Sequence, residues 1–198
     1  MDEREALWIK RALNGDDQAF GNLVEYYQAP VYSLCYRMLG NNRDAEDAAQ
    51  ESFIRAYQNL KRFDSNRSFA TWLLSIASHY CIDRIRKRQL NTISTDVLPA
   101  EIIPDRFAPN PERELDKREK EMKIQNLLSD LQPTDRAAII LRYWHECSEV
   151  EIAKALDLSV SAVKSRLYRS RQALASSFTA LQDAHLANER SLHESPAL

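Results

Sequence analysis

Between Leu158 and Leu181 the chain carries no acidic residue. That stretch holds Lys164, Arg166, Arg169 and Arg171, interleaved with Ser161, Ser165, Tyr168 and Gln172. Cations at this density neutralise phosphates, and short hydroxyl side chains let a backbone approach base edges. The chemistry indicated is therefore nucleic-acid binding, not bond-making. At the 3.6-residue period Val160, Val163, Leu167, Leu174 and Phe178 share one face. Ser161, Ser165, Tyr168, Arg169 and Gln172 lie opposite, with Lys164, Arg166 and Arg171 on the flanks. Ser159 suits an N-cap. Upstream, Ser148 and Glu151 have capping-box spacing, and Ile152, Ala153 and Leu156 recur helically before a turn at Leu156–Leu158. Two short capped helices around a tight turn predict a helix-turn-helix whose second helix enters the major groove. The plainer alternative is a surface helix with a solvated basic face, and the turn lacks the glycine often found there.

Other chemistries find no residues to carry them. There is no phosphate loop, no HExxH and no ordered Ser/His/Asp set, so neither a catalytic residue nor a small-molecule substrate is expected. Cys35, Cys81 and Cys147 are widely spaced and form no CxxC pair, and the four histidines lack metal spacing. No metal, cofactor or disulfide framework follows. No apolar run approaches the ~18 residues of a membrane span, and MDEREALWIKRAL is too acidic for a secretory signal, which suits a cytoplasmic protein. The formal net charge of −2 hides segregated blocks. Acids gather in 44–51 and 112–121, bases in 84–88 and 164–171. Local potential governs nucleic-acid contact, and the modest total suggests weak binding alone and a larger partner.

The elements that position these residues are helices. Only three glycines and strong helical periodicity predict an all-α protein of two small helical domains joined by a flexible linker. Residues 3–14 read as a short helix closed by Asn14-Gly15. Asp16 caps a second, and Pro30 begins a new segment or kinks it. In 43–63, Ala45, Ala49, Phe53, Ala56 and Leu60 form one face, with Asp44, Asp47 and Glu51 nearly opposite and Gln50 and Ile54 beside them. Acids there suit the helix dipole; an outward isoleucine beside an acidic stripe equally suits a protein-docking face. After the polar loop Phe63–Arg67, a helix from Phe69 to about Arg88 is apolar around most of its circumference, which makes it central to its domain. Its polar stripe is Thr71, Ser75, Ser78, His79 and Arg86. Aromatics and cations near a polar loop are ingredients of single-strand binding, though core packing is the stronger reading for Trp72 and Tyr80. Periodicity is lost from Gln89 to Pro111, a linker of ~20 residues that spans on the order of 65 Å when extended. A charged helix over 111–131, one from Pro133, and the helix-turn-helix complete a four-helix second domain. The expected divisions are 1–90, 91–111, 112–180 and a tail 181–198 that extends the last helix briefly and frays.

The blocks LCYRMLGN (34–41), DAEDAAQESFIRAY (44–57), FDSNRSFATWLLSIASHYCIDRIRK (63–87) and VSAVKSRLYRSRQAL (160–174) together resemble a bacterial sigma factor of the extracytoplasmic-function group, sigma-W type. The resemblance covers both domains in order. It implies an alternative sigma factor that binds core RNA polymerase and directs promoter-specific initiation, within an envelope or extracytoplasmic stress response. A first, sigma-2 domain docks Asp44, Glu46, Asp47, Gln50, Glu51 and Ile54 on a β′ coiled coil. It captures the −10 strand with the loop Asp64, Ser65, Asn66, Arg67 and Ser68 and the helix residues Thr71, Ser75, His79 and Arg86. Many relatives have Asn where His79 stands, so the preferred −10 base is left open. A second, sigma-4 domain reads the −35 duplex through Ser161, Lys164, Ser165, Arg166, Tyr168 and Arg169. The implied partners are the polymerase core with its β and β′ subunits, promoter DNA and an anti-sigma factor. A stand-alone helix-turn-helix regulator, with residues 1–90 for dimerisation or sensing, is the competing reading.

Overall fold

The computed structural model describes residues 3–65, 67–92 and 111–193, and these form eight α-helices and one 3-10 turn. The first half holds α1 (Glu3–Leu13), α2 (Asp17–Leu39), α3 (Asn42–Asn59) and α4 (Phe69–Thr92). The second holds α5 (Pro111–Ser129), α6 (Pro133–Tyr143), α7 (Glu149–Ala155) and α8 (Val160–His193). The protein is all-α.

Local chemistry sets most boundaries. The Asp16 carboxylate accepts from the Ala19 N–H at 3.0 Å and starts α2. At its other end Gly40 takes φ +82°, and its N–H closes on the Tyr36 carbonyl at 2.8 Å. That left-handed cap is a glycine's conformation. Asn41 caps α3 through the Asp44 N–H at 2.9 Å. Pro30 neither starts a new helix nor divides α2. Its ring removes one hydrogen bond. The burial of Phe20, Leu23 and Tyr27 before it and Val31, Leu34, Cys35 and Met38 after it holds one continuous rod.

The apolar face of α3 is broader than its wheel suggested: Ala45, Ala48, Ala49, Ser52 and Ala56 are all buried, while Phe53 is only partly so. Small residues there let α3 pack closely on α2 and α4. Phe69, Leu73, Leu74, Ala77, Cys81 and Ile82 bury α4 against α2 and α3. The central helix of this half is α2, which packs on α1, α3 and α4, and not α4 as its wide apolar surface suggested. Phe63, Phe69 and Trp72 form an aromatic cluster at the start of α4. Trp72 and Tyr80 both pack partly buried against that core.

The two halves also pack on one another. α4 contacts α6 and α7, α2 contacts α5 and α6, and the buried side chains form one continuous cluster. The expected linker falls largely on 93–110, outside the described residues. The last helix runs to His193, well beyond the brief extension expected after Phe178.

Candidate nucleic-acid interface

The helix-turn-helix is built as its caps dictate. Ser148 accepts from the Glu151 N–H, and the Glu151 carboxylate accepts from the Ser148 N–H at 2.8 Å, a complete capping box. These bonds hold the Glu151 carboxyl below the usual carboxylate range. Asp157 supplies the turn in place of glycine, at φ +53°. Short polar side chains tolerate that left-handed conformation better than most. Ser159 caps α8 through the Ala162 N–H at 3.2 Å. Val163 and Leu167 are buried against α7 and α6, and Ser170 shares that seam.

Ser161, Lys164, Ser165, Tyr168 and Arg169 face outward, with Tyr168 57% exposed. Tyr168 accepts from the Gln172 amide at 2.9 Å, so the two form one polar platform. Lys164 lies 3.7 Å from Glu149 on α7. Arg166 differs from its neighbours. Its guanidinium is 2.5 Å from the part-buried Asp135 carboxylate of α6 and is half-buried itself. It braces α8 against α6, because its flank position brings it over the neighbouring helix.

On α3, Glu46, Asp47, Gln50 and Ile54 are exposed and Glu51 is half-exposed, paired with Arg55 at 2.7 Å. Ile54 is 51% exposed with carboxylates around it. Asp44 departs from the expected face. It is 8% exposed and is bridged to Arg84 and Arg88 on α4. Burial alone would raise its carboxyl, but the Asn41 amide and the two guanidinium groups hold it below the usual range. The basic end of α4 thus neutralises a carboxylate of its own domain, which the helical wheel of α3 alone does not reveal.

The loop residues Asp64, Ser65, Arg67 and Ser68 are exposed, and Asn66 lies outside the described residues. Ser68 caps α4 through the Thr71 N–H at 3.3 Å. Thr71, Ser75, His79 and Arg86 run along one side of α4, and that side faces the second half. Thr71 Oγ1 donates to Glu151 Oε1 at 3.5 Å, His79 lies 3.7 Å from the Asp157 carboxylate, and Arg86 donates to Thr134 Oγ1 at 3.4 Å. Between α4 and α7 lies a cavity of about 190 Å3, lined by Arg67, Ser68, Thr71, Trp72, Ser75, Glu151, Lys154 and Ala155.

Sequence reasoning missed the residues that join the halves. Arg37 of α2 stacks over Trp144, 4.4 Å from the ring centre. Gln125 of α5 donates to the Arg37 carbonyl at 3.0 Å, and Arg136 of α6 donates to the Met38 carbonyl at 2.6 Å. The end of α2 is a set of unsatisfied carbonyls, and a cation and an amide from the second half fill it. Nothing local in the sequence signals this, because Arg136 reads as part of the polar first turn Thr134-Asp135-Arg136 of α6. Among the described residues no cluster of His, Cys, Asp and Glu could hold a metal.

Comparison with known proteins gives two family matches, to Sigma-70 region 2 over residues 23–90 and to Sigma-70, region 4 over residues 121–174. The ECF RNA polymerase sigma factor SigW of Bacillus subtilis is 41% identical over 174 residues, covering 84% of this chain and 92% of that protein. CnrH, solved in complex with the cytosolic domain of CnrY, matches with a TM-score of 0.66 and 25% identity over 90% of this chain and 99% of the other. The fold is also that of the sigma factor RpoE of Bartonella quintana, solved with the anti-sigma factor NepR. That match has a TM-score of 0.60 and 20% identity over 78% of this chain and 93% of the other.

Proposed function

The chain belongs to the extracytoplasmic-function sigma factors of the sigma-70 family, and we propose on that premise a division of labour among its surfaces. It is an alternative sigma factor that directs transcription initiation. Such factors do no covalent chemistry of their own. In our reading residues 1–90 form the sigma-2 domain, 91–111 the linker and 112–180 the sigma-4 domain.

The outward face of α8 carries the −35 reading. Lys164 and Arg169 meet phosphates and base edges, Ser161 and Ser165 allow close approach, and Tyr168 packs beside them. The single observation behind it is that this face stays uncovered while α6 and α7 bury the opposite one. We place Arg166 and Asp44 behind these surfaces as braces. Glu46, Asp47, Gln50, Glu51 and Ile54 form the docking face for the β′ coiled coil, an apolar centre ringed by carboxylates. Thr71, Ser75, His79 and Arg86, with the preceding loop, hold the exposed −10 strand. Binding unstacked bases in preference to stacked ones opens the duplex by population shift, without ATP. Tethering two weak sites on one polymerase raises the effective concentration of the second contact.

No described helix is long and apolar enough to cross a membrane, and we place the protein in the cytoplasm with the polymerase. An anti-sigma factor that covers these surfaces, and an extracytoplasmic stress as the signal, complete the proposal. The test is to mix the purified chain with bacterial core polymerase. Co-elution and runoff transcription from a subset of fragments of the host genome are expected. Tight, polymerase-independent binding to a palindrome would instead identify a stand-alone regulator.

A further inference from the structure

None of the residues assigned above to a partner lies on α1, yet its Glu5 is buried, only 8% exposed. A carboxylate withdrawn from water needs a partner. Glu5 Oε1 accepts a buried hydrogen bond of 2.6 Å from the Tyr27 hydroxyl of α2. Burial, and then the Glu5 carboxylate, push that hydroxyl well above the usual tyrosine range, so it stays protonated and donates.

From Tyr27 a run of rings leads to the loop before α4. The Tyr27 ring lies 5.6 Å from Phe69, the first residue of α4. Phe69 lies 5.3 Å from Phe63, which begins the loop, and Trp72 meets both rings, at 5.4 and 5.1 Å. Both ends of the loop are therefore pinned in one aromatic cluster. Its middle has no such support. Asp64, Ser65, Arg67 and Ser68 are exposed, and Phe63 and Ser65 border a cavity of about 330 Å3 whose other wall is Ile9, Lys10 and Leu13 of α1. A segment that spans open space takes its position from its ends.

From this arrangement we propose that Glu5 is a positioning residue for strand capture: its bond to Tyr27 fixes the ring on which Phe69 rests, and Phe69 and Phe63 carry that position to the loop. The inference rests on the assignment of the loop and α4 to the −10 strand. Its physical basis is a difference between two kinds of contact. Burial of apolar rings is non-directional, so the rings of the cluster can slide past one another at little cost. A hydrogen bond demands a distance and an angle, and one tether of that kind holds the cluster in a single arrangement. Groups that bind a partner need placing to within about 0.5 Å, which the tether supplies and the cavity beside Ser65 does not.

The experiment uses the full chain assembled with bacterial core polymerase, on a genome fragment that yields a runoff transcript. Permanganate reactivity of unpaired thymines reads strand opening, and urea midpoints of the free chain read stability. Glu5→Leu alone strands the Tyr27 hydroxyl and lowers the midpoint. Glu5→Leu with Tyr27→Phe leaves no orphaned group, so its midpoint returns close to the parent's. We expect opening by this double variant to stay roughly tenfold down, the worth of one directed hydrogen bond. Retention on core, and affinity for the closed duplex in the cold, are expected to match the parent. Glu5→Gln keeps an accepting oxygen and should open the fragment within about twofold of the parent. A double variant that opens the fragment as the parent does would overturn the positioning role. So would an equal fall in core retention and closed-duplex affinity, which would make the pair a stabiliser only. Arg67→Ala, in the loop itself, separates the two levels. If it lowers opening and the double variant does not, the positioning role alone falls; if neither does, the assignment of the loop to the strand falls with it.

Discussion

Arg136 and Met38, 98 positions apart in sequence, are joined by a buried hydrogen bond of 2.6 Å from guanidinium to carbonyl. The same guanidinium donates to the Ser129 carbonyl at 2.6 Å, so one side chain closes the end of α5 and the end of α2 together. Burial lowers its pKa from the usual arginine value, but an arginine stays charged. Arg136→Met keeps the volume of the stem and strands both carbonyls. Its expected cost is about 2–4 kcal/mol of stability, read from the urea midpoint. A change within about 0.5 kcal/mol would show that water replaces the guanidinium freely.

Asp44 and Asp47 lie three residues apart on α3 and have different tasks. Asp44→Asn removes the charge that Arg84 and Arg88 share and should lower stability by about 1–2 kcal/mol at neutral pH. The carboxyl is depressed in the fold. Its contribution is therefore complete above the unfolded value of about 3.9 and is lost as pH falls through the folded one. Asp47→Lys loses only a long, exposed contact of 3.8 Å to Arg84 and should cost less than about 1 kcal/mol of stability, yet abolish retention on core polymerase in a pull-down. Equal retention of both variants would remove the docking face.

Arg166 and Arg169 separate bracing from reading on α8. Arg166→Ala unpairs the part-buried Asp135 and should reduce stability by about 1–3 kcal/mol. Arg169→Ala and Lys164→Ala should melt like the parent but weaken duplex binding. Each lost phosphate contact lowers the slope of log affinity against log salt by about 0.9. A slope unchanged in both would place the duplex on another surface.

His145 sets a pH limit. Burial, and then the charge of Arg37, push its pKa down to about 4, and its Nε2 is buried without a partner. The unfolded histidine takes a proton near pH 6.5, and the folded one does so only near 4. Stability is thus full above about 6.5 and falls as pH drops towards 4, by a few kcal/mol at most. Denaturant titrations at pH 7 and pH 5 should differ accordingly, and His145→Gln should remove most of that difference. A variant with the parent's pH dependence would assign the loss to other groups.

Residues that act through near neighbours in the chain were legible from the sequence. The capping box at Ser148 and the caps at Ser159 and Asp16 need only three or four consecutive residues, and the outward face of α8 needs only the helical period. That is why the two capped helices around their turn, the outward polar face of α8 and the all-α class could be written down in advance. Pro30 shows where local rules stop: the proline predicts a break, but apolar burial on both sides keeps α2 whole. What the tertiary structure alone decided depends on partners distant in sequence. Asp44 became a brace because α4 brings Arg84 and Arg88 to it, and Arg166 because α6 brings Asp135. Thr71 and His79 lie beside Glu151 and Asp157 because α4 packs against α7. A periodic pattern tells which face of a helix is polar, but whether that face meets water or another carboxylate is fixed by which helices pack together.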